Sequence, residues 1–71
     1  MIEYRTAFQL EQVIADLAGL STENVQVTRV GNGGDFQATM VGTAGGVSRS
    51  RAQSDITRVC TTIKLTYKLK T

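Results

Sequence analysis

Five residues, Gly31-Asn32-Gly33-Gly34-Asp35, separate two runs with strand-like side chains, and this arrangement restricts the chain more than any other feature. Val25 to Val30 is rich in β-branched residues. From Phe36 to Val41, Phe36, Ala38 and Met40 alternate with Gln37, Thr39 and Val41, so both runs read as strands. A loop with three glycines supplies the positive φ of a tight reversal, which makes the pair an antiparallel hairpin. Gly42-Thr43-Ala44-Gly45-Gly46 then ends the second strand.

A hairpin alone cannot hide its apolar face, and the flanking segments supply the cover. From Thr6 to Ala18, Leu10, Val13, Ile14 and Leu17 follow the i, i+3, i+4, i+7 spacing of one helical face. Thr6-Ala7-Phe8-Gln9 reads as a capping box, and Gly19 with Leu20 as a C-terminal cap. Gln9, Glu11, Gln12 and Asp16 fall on the solvent side. Further on, Ser50-Arg51-Ala52-Gln53 repeats the capping pattern, and Ala52, Ile56, Val59, Cys60 and Ile63 recur at helical spacing, predicting a second helix of about eleven residues. Thr62 to Lys70 alternates Ile63, Leu65, Tyr67 and Leu69 with Lys64, Thr66, Lys68 and Lys70, which predicts a strand with its lysines in water.

These elements give an α+β fold in the order αββαβ: a small single domain, residues 1–71, with one or two amphipathic helices packed on a largely antiparallel three-stranded sheet. Because Val59, Thr61, Ile63, Leu65, Tyr67 and Leu69 also satisfy a period of two, one helix on a four-stranded meander is the alternative. A chain of 71 residues buries only about 60% of its unfolded surface, so self-association through a sheet edge or face is a reasonable expectation.

The chain has no His and one Cys, Cys60, which excludes a Cys/His metal site, a Ser–His–Asp triad and an internal disulfide. Cys60 reads as a small buried apolar residue, not a reactive thiol. Asp16, Asp35 and Asp55 are spaced too irregularly for a carboxylate pair or a calcium loop, and Ser21, Ser48, Ser50 and Ser54 have no base except lysine. Neither an enzyme, a cofactor nor a metal is therefore expected. The start Met1-Ile2-Glu3-Tyr4-Arg5 is not a basic region leading into an apolar run, and no apolar stretch reaches the ~20 residues that span a bilayer. A cytoplasmic protein without integral membrane association is the expectation.

Charge is polarised along the chain. Residues 1–35 carry two cations against five anions, a net −3, whereas residues 36–71 carry six cations against Asp55 alone, a net +5. Arg49, Arg51, Arg58, Lys64, Lys68 and Lys70 are thus the candidate polyanion-binding residues, the arginines suited to bidentate phosphate contacts and the lysines to point-charge ones. The opposing interpretation is a solvated face whose lysines discourage edge pairing. No aromatic is interleaved with these cations for base stacking, since Tyr67 falls on the apolar parity.

The Gly31 to Gly34 loop fails as a phosphate cradle, because no helix opens after it and no Lys-Ser/Thr follows. Gly45-Gly46 is better placed, ahead of a helix whose free N–H groups could hold an anion, although the same glycines serve an ordinary loop.

The order helix, strand, turn, strand, Gly-containing link, helix, strand resembles the BON domain, a small module associated with phospholipid or membrane-surface binding. The likeness runs from about Leu10 to Leu69 and rests on Val25-Gln26-Val27, Asn32-Gly33 and Val41-Gly42-Thr43. It is one of pattern, and it breaks at Cys60-Thr61-Thr62, where that family has a Gly-Val entry into its last strand. The double-stranded-RNA-binding order αβββα fits less well, having no place for the last strand. The functional expectation is a non-enzymatic module meeting a polyanion, nucleic acid ahead of lipid headgroups. The alternative is a self-assembling or partner-blocking protein of the inhibitor type, a small phage-encoded component being one form of it.

Overall fold

The computed structural model describes residues 2–31, 33–42 and 48–70. Its elements are β1 (Glu3–Arg5), α1 (Ala7–Ala18), a 3₁₀ turn (Thr22–Asn24), β2 (Val25–Val30), β3 (Asp35–Met40), α2 (Arg49–Ile63) and β4 (Tyr67–Leu69). The fold is α+β. β2 and β3 form the antiparallel hairpin, with Val27 opposite Ala38 and Val25 opposite Met40. Its alternation turns Val25, Val27, Phe36, Ala38 and Met40 inward, where α1 adds Leu10, Ile14 and Ala15 and α2 adds Ala52, Ile56, Cys60 and Ile63. Phe36, Leu10, Ile14 and Ile56 are the largest fully buried side chains, so the core lies between the hairpin and the two helices.

Local signals place α1. The Thr6 hydroxyl accepts from the Gln9 N–H at 3.2 Å and the Gln9 side chain accepts from the Thr6 N–H at 3.0 Å. Gly19, at φ 72°, closes the helix, and the Leu20 N–H donates to the Ala15 carbonyl at 2.8 Å. Leu17 is not part of the core. It stands on the last turn, at the rim of the stripe made by Leu10, Ile14 and Ala15, and is 64% exposed.

α2 settles the choice between helix and meander in favour of helix, and it is longer than expected. Its N-cap is Ser48, whose hydroxyl accepts from the Arg51 N–H at 3.1 Å, so the helix starts before Ser50 and the expected second capping box does not form. It continues through Thr61 and Thr62, whose hydroxyls donate back to the Thr57 and Arg58 carbonyls at 2.9 and 3.0 Å and so find partners within the helix. β-branched residues are thereby accommodated at the helix end. The strand expected over Thr62–Lys70 shrinks to Tyr67–Leu69, and Leu65, in the turn before it, is 80% exposed. The period of two over this stretch is real in the sequence, but burying Ile56, Cys60 and Ile63 as one helical stripe wins.

The expected three-stranded sheet is replaced by two two-stranded ones. β4 pairs in parallel with β1, in the register Glu3–Tyr67, Tyr4–Lys68 and Arg5–Leu69. The end of β4 meets the turn leading into β3, where the Leu69 N–H donates to the Gly34 carbonyl at 2.8 Å. Gly34 makes that approach possible. Its φ is 81°, and a Cβ there would lie 3.3 Å from the Lys68 Cβ and 3.5 Å from the Leu69 carbonyl oxygen.

A helix side chain reaches each outer edge of the hairpin. On β2 the Val27 N–H donates to the Glu11 carboxylate at 2.8 Å, which draws Glu11 out of the solvent face expected for it. On β3 Gln53 acts as a one-residue strand. Its Oε1 accepts from the Met40 N–H at 2.7 Å, and its Nε2 donates to the Ala38 carbonyl at 3.4 Å. In an antiparallel pair every second residue points its amide away from the partner strand, and these are the groups so satisfied. Edge pairing with another chain is correspondingly disfavoured.

Candidate polyanion-binding surface

The six cations singled out from the sequence do not share one surface. Arg51 and Arg58, seven residues and about two turns apart, lie on one exposed stripe of α2. Asp55 sits between them and pairs with Arg58 at 3.0 Å. Arg49 and Lys64 mark the two ends of the flank facing β3, about 22 Å apart along the axis. Arg49 donates to the Gly42 carbonyl at 3.1 Å and reaches the Met40 carbonyl at 3.5 Å, so it closes the end of β3. Lys64 pairs with Asp35 at 3.3 Å, and its ammonium stands 5.7 Å from the centre of the Phe36 ring. Arg51 and Lys70 form no ion pair with a described residue.

Asp35 is committed twice over. The Phe36 N–H, donated at 2.9 Å, and then the Lys64 ammonium hold its carboxyl below the ordinary aspartate value, with Lys68 adding a weaker pull. Lys64 is therefore engaged by a carboxylate at the β3 start. Between β3 and α2 lies a groove of about 300 Å³, lined by Gln37, Thr39, Gln53, Thr57 and Thr61, with Cys60 at its floor. Burial pushes the Cys60 thiol's pKa up, so it stays protonated at neutral pH and is a poor nucleophile. The reading of Cys60 as a buried apolar residue agrees with its position in the core. Among the described residues no three His, Cys, Asp or Glu side chains gather as metal ligands, and no helix is long and apolar enough to cross a membrane. Gly45 and Gly46 lie outside the described residues.

The remaining cations are Lys68 and Lys70, and the β1–β4 pairing gives them an unforeseen neighbour. Paired residues of a parallel ladder share a face, so Tyr4 stands beside Lys68, with Ile2 and Lys70 at the same parity. Tyr4 is 57% exposed and Ile2 is exposed as well. Leu69, of opposite parity, enters the core. The inner face of the ribbon is tied down by the Glu3–Arg5 pair at 2.8 Å and by the Arg5 guanidinium, 5.4 Å from the centre of the Tyr67 ring. An aromatic does accompany two of the cations, contrary to the expectation from the last strand alone. The signal for it was the alternation Ile2-Glu3-Tyr4-Arg5, too short to read as a strand without its partner.

Comparisons of this chain with known protein families, with curated proteins and with solved structures return no match. The BON-like order of elements thus remains a likeness of pattern, and the fold here adds a first strand, β1, which the order αββαβ lacks.

Proposed function

We propose that this domain is a non-enzymatic binding module that meets a polyanion through cations of its C-terminal half, nucleic acid ahead of lipid headgroups, in a cytoplasmic setting. What carries the reading is the pair Lys68, half-buried in β4, and Lys70, exposed just after it at the same parity, while Asp35, the carboxylate that feels Lys68, is already held by Lys64 and the Phe36 N–H. Arg51, exposed at the start of α2, adds a further cation. Arg49, Arg58 and Lys64 contribute less directly, being engaged with backbone carbonyls or carboxylates. Such binding releases counterions, so affinity for a labelled oligonucleotide falls steeply with salt, with a slope of about 0.7 per phosphate contacted on a single strand. Fluorescence anisotropy across a salt series tests it; an isotherm that ignores salt contradicts it.

A second reading, a self-assembling or partner-blocking protein of the phage type, draws on the exposed apolar side chains Phe8, Leu17 and Leu65. The closed hairpin edges weigh against its edge-pairing form. Sedimentation at high concentration separates the two, because a strict monomer removes the self-assembling version.

A further inference from the structure

The polyanion reading leaves open which anion, and the outer face of the β1–β4 ribbon narrows it. We infer that this face binds single-stranded nucleic acid, with Tyr4 as a stacking platform for a base and Lys68 and Lys70 holding the adjoining phosphates. The inference rests on the polyanion reading and specifies its partner. Three observations converge on it. Tyr4 is exposed and is the in-register neighbour of Lys68. Lys70 lies two residues further along the same face, about 7 Å away along the strand. Ile2, also exposed, extends the apolar part of the platform beside Tyr4.

The chemistry discriminates among polyanions. A headgroup or a free phosphate gains from the lysines but has no flat ring to lay on a phenol, whereas every unpaired base has one. A duplex stacks its bases on one another and hides those rings, so only a single strand can use all three side chains at once. The platform is also held in place from behind, because Arg5 is bonded to Glu3 and stacked on Tyr67, and its Nη1 donates to the Tyr4 carbonyl at 2.9 Å.

The test uses the full chain and a labelled oligothymidylate of about a dozen nucleotides, with a duplex of equal length and anionic and neutral lipid vesicles as the other arms. Tyr4→Ala is expected to weaken oligothymidylate binding by roughly 5- to 150-fold while leaving the salt slope unchanged, and Tyr4→Phe to restore it. Lys68→Gln with Lys70→Gln is expected to lower both the affinity and the salt slope. An unchanged circular dichroism spectrum and urea midpoint show that Tyr4→Ala still folds, as its exposure requires. If Tyr4→Ala binds as well as the parent while the lysine variants do not, stacking is overturned and the polyanion reading survives. Tighter binding to duplex or to anionic vesicles than to the single strand overturns the choice of partner. Absence of binding in every arm overturns both.

Discussion

Along most of the hairpin the side chains turned to water are the uncharged Gln26, Thr28, Gln37 and Thr39, and only next to the turn do Arg29, Val30 and Asp35 join them among the described residues. On the outer face of the ribbon formed by the two chain ends Ile2, Tyr4 and Lys70 are exposed and Lys68 is half-buried, while Glu3 is exposed on the other face. Both sheets follow the same two-residue alternation and feed one core, yet the hairpin is closed at its edges by Glu11 and Gln53 while the ribbon shows an aromatic flanked by cations. The difference separates two tasks. The hairpin, six residues a side and locally paired, supplies the surface on which the helices bury their stripes. The ribbon, three residues a side, hangs on that core through Leu69 and the Gly34 carbonyl and is free to specialise its outer face.

The heaviest blow to the hairpin is Phe36→Ala. Phe36 is 1% exposed at the centre of the core, and its loss is expected to remove roughly 3–5 kcal/mol, enough to unfold most of a domain this small. Urea denaturation measures it; a loss under about 1 kcal/mol means the core does not centre on the hairpin.

Next comes Gly34→Ala, aimed at the junction of the two sheets. A left-handed φ costs an alanine about 1–2 kcal/mol, and the added Cβ crowds Lys68. The expected signature is selective: hydrogen exchange at Leu69 accelerates more than at Val27 or Ala38. Equal acceleration throughout shows that the ribbon and the hairpin open as one.

Gln53→Ala is milder, about 1 kcal/mol, since water replaces the lost partners of Met40 and Ala38. Its expected consequence is an open β3 edge and concentration-dependent self-association, read by sedimentation. A monomer indistinguishable from the parent removes the edge-closing role assigned to Gln53.

The smallest effect is in acid. Asp35 is held below the ordinary aspartate value in the fold, so its contribution is complete above that value and is lost as the pH falls through the lowered one. Asp35→Asn is expected to lower stability slightly at neutral pH and to flatten the acid limb of a stability–pH curve, so that variant and parent converge in acid. A parent curve already flat there speaks against the Lys64–Asp35 contact.

What was legible in the sequence was whatever the chain decides locally. The Thr6 box, the Gly19 cap and the inward parity of Phe36, Ala38 and Met40 each depend on neighbours within a few positions and appear as expected, and so does the hairpin, although Asp35, expected in its loop, pairs with Val30 as the first residue of β3 and Asn32 lies outside the described residues. Residues 57–69 satisfied two periods at once, and the choice between them was made by tertiary burial of Ile56, Cys60 and Ile63, which no local pattern reports. β1 and its parallel pairing join opposite ends of the chain, and three residues of alternation carry too little signal to announce a partner so remote. The cations suffered similarly. Their number was plain, but Arg58 and Lys64 are engaged by Asp55 and Asp35, and Tyr4 comes to Lys68 only through the fold.

Amide chemical-shift mapping during titration with the single-stranded oligonucleotide puts the division of labour to its most direct trial. The account predicts shifts concentrated at Tyr4, Lys68 and Lys70, with Gln26, Thr28, Gln37 and Thr39 unmoved. Shifts centred on the outer face of the hairpin or along α2, with the ribbon silent, would contradict it.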